Sequence, residues 1–210
     1  MTPRTARPFA ARSRARSSPW STPGVGLLAA VVVCLAGCDI DGTLKADGSG
    51  KVEMTYLTQP NTTEVLERRR FTSDHVTVDS IKLNADRTAT VRAGFDDVTR
   101  LSTAEGFKTV SVTRTREGGN ERLTVKVTNK LHGAVKEDSS KPGTKISLAL
   151  PGNVLEANRA ATIAENRVTW SFTFAEWLKD EIVELTVRYA APPADQAGAA
   201  EQPADKPATK

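Results

Sequence analysis

Cysteine is almost absent from this chain. It has two, and Cys34 falls inside an apolar run near the N-terminus, so the chain beyond residue 37 keeps only Cys38. One cysteine makes no intramolecular disulfide, and a Cys-based metal site is excluded. Histidine is equally scarce, with His75 and His132 the only two. They fall on different expected elements with no acidic pattern beside them, so they read as solvated or turn residues and no metal ligand set is expected. A second long hydrophobic run is also missing: the one from Gly24 to Gly37 has 14 residues, too short to span a bilayer comfortably. Beyond it, excess charge disappears as well. Of 29 Lys and Arg and 25 Asp and Glu, the first 37 residues take five Arg and no acid, leaving 24 bases against 25 acids. A near-neutral domain carries no electrostatic case for nucleic acid or for strong attraction to anionic lipid.

What is present at the N-terminus is a leader. Arg4, Arg7, Arg12, Arg14 and Arg16 form a cationic segment that stays on the cytoplasmic side, and Gly24 to Gly37 follows as the apolar core of a signal peptide. That run ends in Leu35-Ala36-Gly37-Cys38. Leu35 suits the apolar subsite of a lipoprotein signal peptidase, and Ala36 and Gly37 suit its narrow active site. An uncleaved N-terminal anchor helix is the alternative. The four residues resemble a bacterial lipobox, and the resemblance implies cleavage before Cys38, a diacylglyceryl thioether on its sulfur and an amide-linked third chain, palmitate-like in kind. Two or three acyl chains hold a protein stably on a bilayer where one is marginal. The partner so implied is the membrane, and the location is extracytoplasmic, in the cell envelope. Asp39, in the position after the acylated cysteine, implies inner-membrane retention by resemblance to enterobacterial lipoproteins.

At the other end, residues 191–210 consist of small and polar residues without one large apolar side chain, and are expected to be a disordered tail. Residues 38–190 then form one extracytoplasmic domain, enough chain for a single core. Within it the hydrophobic period is two. Ile40 and Leu44, the turn Asp47-Gly48-Ser49-Gly50, then Val52, Met54 and Tyr56 predict a hairpin. Asn61 with Glu64 predicts a capped short helix to Phe71, its thin apolar side made by Val65, Leu66 and Phe71, with Arg68 to Arg70 mostly in water. Val76 to Leu83, with a change of phase at Asp79-Ser80, and Ala89 to Phe95 predict a second strand pair with a bulge. Asp97 is expected to cap a second short helix through Leu101, and strands flanking Glu117-Gly118-Gly119-Asn120 make a third pair. After a polar loop from Lys136 to Gly143, three strands follow: Ile146 to Leu150, Val168 to Phe174, and Val183 to Tyr189. The fold class is α+β, a mainly antiparallel, strand-rich sheet with one or two short helices packed on it; a barrel-like curl of the sheet is the alternative.

The stretch Leu150-Pro151-Gly152-Asn153-Val154, with Asn158 shortly after and Val168-Thr169-Trp170 beyond, resembles the signature of the LppM-type domain of bacterial lipoproteins and membrane-anchored proteins. Arg159-Ala160 stands where that family often has Gly. The resemblance implies an extracytoplasmic domain without catalytic residues or cofactor, whose mycobacterial relative is linked to envelope glycolipids. On the residues themselves, Pro151 and Gly152 read as a fold-fixing turn and Trp170 as a core aromatic.

One motif argues for chemistry. Asp39-Ile40-Asp41-Gly42-Thr43-Leu44 after Val31-Val32-Val33 resembles the nucleophile loop of haloacid-dehalogenase-like phosphatases, with Asp39 attacking phosphorus, Asp41 as acid and base, and Asp96 and Asp97 as magnesium ligands. The leader already explains the apolar run, and the antiparallel pattern lacks the strand-helix alternation of a doubly wound sheet. Asp47 to Gly50 also matches part of an EF-hand loop, but Lys45 and Tyr56 occupy positions that need acids, so it reads as a turn. Asn61-Thr62-Thr63 is a formal glycosylation sequon that a bacterial lipoprotein does not ordinarily use. Phe174 and Trp177 are expected at a strand end, in the core or against a lipid or partner. The leading expectation is non-catalytic binding of an envelope lipid or glycolipid; a protein-interaction module in an envelope assembly is the second.

Overall fold

The structure, a computed structural model, describes residues 38–133 and 142–191. The expected leader with Leu35, Ala36 and Gly37, nearly all of the 136–143 loop, and the tail after Ala191 lie outside the described residues.

The period-two segments become strands in two sheets. The first has seven strands, in the order β3 (Val76–Leu83), β4 (Thr88–Phe95), β2 (Gly50–Leu57), β1 (Asp39–Leu44), β7 (Pro142–Ala149), β10 (Arg167–Thr173) and β9 (Thr162–Ala164). The second has four, in the order β5 (Val110–Glu117), β6 (Asn120–Thr128), β11 (Ile182–Ala190) and β8 (Val154–Ala157). Short polar turns make the hairpins antiparallel, as the sequence predicts. One pair is parallel: β1 lies beside β7, with Ile40 opposite Ile146. The class is therefore α+β with one mixed and one antiparallel sheet, and no closed barrel forms among the described residues.

Local chemistry fixes the turns. Asp47 Oδ1 accepts from Ser49 N at 2.9 Å and Ser49 Oγ at 2.7 Å, which holds its carboxyl below the usual aspartate range and makes this loop a hairpin turn. The phase change at Asp79-Ser80 is a bulge, where the β3–β4 register slips between Val78 and Ser80.

Helix α1 (Glu64–Phe71) begins at Thr63, whose Oγ1 accepts from Leu66 N at 3.3 Å, and not at Asn61. The buried side also differs from the expected one. Phe71 is buried, tilted against Tyr56 and edge-on to Phe107 with centroids 5.3 Å away, whereas Val65 and Leu66 stand in solvent, 76% and 57% exposed. Glu67 is buried in their place, accepting from the Tyr56 hydroxyl and pairing with Arg70. Arg68 and Arg69 are exposed as expected, whereas Arg70 lies over the Phe71 ring at 5.3 Å and is half-buried.

Asp97 does cap a helix, but a 3-10 helix, Val98–Thr103, through Thr99 N at 2.9 Å; a second 3-10 turn, Glu105–Phe107, follows. Phe174 does not end a strand. It opens helix α2 (Phe174–Lys179), capped by Thr173 and Glu176, and Trp177 on it is buried. Strands β8 and β9 are short and partly polar, and the period-two count misses them.

The two sheets pack face to face over part of their area. From the second sheet, Leu123, Val183, Leu185, Val187 and Tyr189 point inward and are fully buried; from the first, Leu44, Val168 and Trp170 are. α1 and the 3-10 turns cover the β2–β4–β3 end of the same face, where Phe71 closes against Gly106.

Candidate functional site: an apolar cavity between the sheets

Where the two sheets meet they do not close fully. A cavity of about 120 Å³ lies between them. Ile40, Val52, Ile146 and Leu148 wall it from the first sheet, Val110 and Val125 from the second; each is apolar and only half-buried despite facing inward, and the surface it keeps lines the cavity. Trp170 and Trp177 complete the wall at the α2 side. Ser147 also borders it, but its hydroxyl is engaged with Thr169 Oγ1 at 3.0 Å.

Gly42 lies opposite Leu148 where β1 meets β7, and both border the cavity. Alternation along β1 turns Ile40, Gly42 and Leu44 inward and Asp39, Asp41 and Thr43 outward. At residue 42 there is no side chain to fill the interior, and a Cβ there would meet the Leu148 Cδ1 at 3.0 Å. The volume is close to the roughly 150 Å³ cavity that holds benzene in an otherwise dry core. It therefore suits one ring or a segment of an acyl chain, with no charge to neutralise.

One end of the sheet pair is latched by a polar cluster. Arg114 Nε donates to Glu121 Oε2 at 2.6 Å, Arg114 Nη2 donates to the Ala46 carbonyl at 2.6 Å, and Tyr189 OH donates to Glu121 Oε2 at 2.5 Å. Burial alone would raise the Glu121 carboxyl, but the bonds from Arg114 and Tyr189 with the Arg114 charge outweigh it and hold it below the usual glutamate range. Burial, with the bond to Glu121, pushes the Tyr189 phenol far above its usual range. The cluster ties the β1–β2 turn to the second sheet. Sequence reasoning missed it, since Glu121 and Tyr189 lie 68 residues apart.

Of the signature residues, Asn158 is bonded to Trp170 and to β11. Its Nδ2 donates to Glu184 O at 3.0 Å, its Oδ1 accepts from Thr186 N at 2.9 Å, and its carbonyl accepts from Trp170 Nε1 at 3.0 Å. One residue thus rivets the loop after β8 to both sheets and fixes the indole that walls the cavity. Gly152 runs so close to Ala190 that a Cβ would stand 1.9 Å from its carbonyl oxygen, so the turn at Pro151-Gly152 admits no side chain. Val154 N donates to Glu165 O at 2.9 Å, and Val168 is fully buried beneath. Arg159 and Ala160 have φ of 56° and 48°, the left-handed region where the family often has Gly. Arg159 is held there by bonds to Glu184 O and Asp180 Oδ2.

The four aspartates offered as a phosphatase centre are not gathered. Asp39 and Asp41 are exposed on the outer face of β1, and Asp41 pairs with Arg167 at 2.7 Å. Asp96 pairs with His75 at 3.1 Å and Asp97 caps its helix. β1 has an antiparallel neighbour on one side, so the doubly wound parallel sheet of that chemistry is not this fold. His132 Nδ1 lies 3.3 Å from the Asn129 carbonyl, in a turn. No grouping of three or more His, Cys, Asp or Glu suited to a metal occurs among the described residues. No described helix is long and apolar enough to cross a membrane. Cys38, the expected lipid carrier, is described and buried.

No family model matches the sequence, and no curated protein matches it. Among solved structures, the folded domain of LppM from Mycobacterium tuberculosis, determined by NMR, is similar with a TM-score of 0.50. The two are 16% identical, and the match covers 82% of this chain and 98% of that one. The chain therefore has an LppM-like fold.

Proposed function

We propose that this protein is a lipid-anchored, non-catalytic binding domain of the bacterial envelope that takes an apolar part of an envelope lipid or glycolipid between its two sheets. The apolar cavity walled by Ile40, Val52, Val125, Ile146 and Leu148 carries the reading. Ligand pockets pair an apolar wall with a few polar groups, and an apolar void of this kind costs stability that a packed core would recover. The lipobox and the leader support the anchor on Cys38, and the LppM-like fold supports a lipoprotein-like binding domain.

Photolabelling tests it. Envelope membranes containing the protein are loaded with a phospholipid bearing a diazirine in its acyl chain, irradiated, and the protein digested. Adducts on the peptides of β6 and β7 that hold Val125, Ile146 and Leu148 support the reading; adducts confined to exposed surfaces contradict it. Metabolic labelling with an alkynyl palmitate tests the anchor, with label expected on the native chain and lost in Cys38→Ala.

A second reading, a protein-interaction module, draws on α1, where Val65 and Leu66 project into solvent from a helix whose other side is packed. Loss of a co-purifying protein in Val65→Glu, with lipid binding unchanged, would favour it.

A further inference from the structure

The chain enters the domain at one end of the first sheet, and exposed apolar side chains gather at that same end. Register locates both. Asp39 lies opposite Thr55 of β2, Thr55 opposite Thr90 of β4, and Thr90 opposite Lys82 of β3. The next row outward holds Tyr56, Ala89 and Leu83, and Cys38 is the residue before Asp39. Leu57 and the turn at 84–87 complete the rim, where Thr58 N donates to the Arg87 carbonyl at 2.8 Å and starts the 58–63 loop. From that loop α1 runs back along the inner face, held by the Tyr56 hydroxyl on Glu67 and by Arg68 Nη1 donating to Val78 O at 3.0 Å. Val65 and Leu66 open α1 and so lie towards the rim, exposed like Leu57 and Leu83.

Exposed apolar residues scattered singly are ordinary, but several at one end of a domain mark a contact surface. What meets this one is set by the chain before it. The apolar run 24–37 joins the domain at Cys38, and whether it ends in a lipidated cysteine or stays as an anchor helix, the bilayer lies at this rim. Three strand spacings, about 14 Å, separate β1 from β3, so α1 and Leu83 are within reach of the surface to which the chain is held. The charges beside them suit that surface. Arg69 stands exposed one helical turn on from Val65 and Leu66, and Lys82 and Arg87 are exposed on the rim. Glu64 is paired with Arg68, and Asp86 Oδ1 accepts from Thr88 N at 3.0 Å. Long basic side chains next to apolar ones fit the boundary between acyl chains and phosphate groups.

We propose that Val65 and Leu66 of α1, with Leu57 and Leu83, insert into the bilayer interface, so that the domain sits on its membrane by this rim. This rests on the reading of residues 24–38 as a membrane anchor. The anchor already holds the domain at the surface, so a contact too weak to bind alone is enough to orient it. Orientation bears on the cavity. Ile40, which borders it, follows Cys38 by two residues, about 7 Å along a strand. A domain seated on this rim therefore holds the cavity close to the headgroups, with a short path for a lipid that leaves the bilayer.

The test uses the full chain made in a bacterium that processes lipoproteins, methyl-labelled at Ile, Leu and Val and placed in nanodiscs of phosphatidylethanolamine and phosphatidylglycerol. A phospholipid with a nitroxide near the top of one acyl chain is then added. The Val65 and Leu66 methyl signals should be lost. Those of Leu155 and Ile163 should be kept: Ile163 lies opposite Val168, which pairs with Leu148 near the far end of β7, and Leu155 follows the turn at that end. Leu66→Glu, at an exposed position, should restore the Val65 signal. Val65 and Leu66 signals that persist in protein held by the nanodisc overturn the docking and leave the anchor reading standing. Protein that elutes apart from the nanodisc overturns both. Loss of signal that follows protein concentration without the nitroxide assigns the face to a second copy of the chain and overturns the docking.

Discussion

Replacing Gly42 with Ala should make the protein more stable and a poorer binder of apolar ligands. Gly42 is buried in the middle of β1, has no left-handed φ, and walls the cavity. Glycine inside a strand costs about 0.5–1 kcal/mol relative to alanine through chain entropy. A methyl group buried there contributes about 0.8 kcal/mol more. Against this stands one contact: the new Cβ would meet the Leu148 Cδ1 at 3.0 Å. That atom is the tip of a flexible side chain which itself borders the cavity, so it can retreat by a few tenths of an ångström. The net gain is about 1–1.5 kcal/mol, which for a domain of this size raises Tm by about 2–6 °C. Differential scanning calorimetry measures the first effect and titration with a naphthylamine fluorophore the second. A lower Tm with unchanged fluorophore binding would refute the reasoning, since it would mean that Leu148 does not retreat into the cavity.

Glu121→Gln should destabilise the fold by about 2–3 kcal/mol, somewhat less than the loss of a fully buried pair because Arg114 keeps some exposure, and urea unfolding checks it. The pH dependence follows from the same carboxylate. Its folded pKa lies below its unfolded value, so its contribution is fully present above about pH 4.5 and is lost as pH falls through the folded pKa; the acid limb of stability should be flatter in the variant. Ala160→Gly should stabilise by about 1 kcal/mol, because Ala160 holds a φ of 48° that glycine adopts without strain; the urea midpoint should rise with the slope unchanged. Gly152→Ala should cost about 3 kcal/mol, as its Cβ would stand 1.9 Å from the Ala190 carbonyl and push β11 away from the Pro151 turn. A Tm within 2 °C of the native value, by the scaling in which 1 kcal/mol is worth about 2–4 °C, would contradict that.

The alternation of apolar residues made the strand pairs, their turns and the bulge at Asp79-Ser80 legible in the sequence, because one buried face imposes period two. What alternation does not carry is which strands become neighbours across long separations. The parallel pairing of β1 with β7 and the split into two sheets come from tertiary packing. α1 was legible as a helix but not in its orientation: Glu67 takes the buried place because the Tyr56 hydroxyl and Arg70 satisfy it, which leaves Val65 and Leu66 outside. The cavity was invisible in sequence for a related reason. Its walls read as ordinary core valines and isoleucines, and Gly42, which borders it, lay within a motif that points to aspartate chemistry. In retrospect a glycine at an inward position of an otherwise well-patterned strand was the available signal. The Pro151, Gly152, Asn158 and Trp170 positions were found from their resemblance to a known domain, and their roles are turn, close approach, rivet and wall.

Native mass spectrometry of the domain secreted without the segment before Asp39 tests the central claim most directly, because it reads whether the cavity holds a lipid. The account predicts a reproducible added mass that extracts into organic solvent, reduced in Gly42→Ala. A clean apo mass, still unshifted after incubation with an envelope lipid extract, would contradict it.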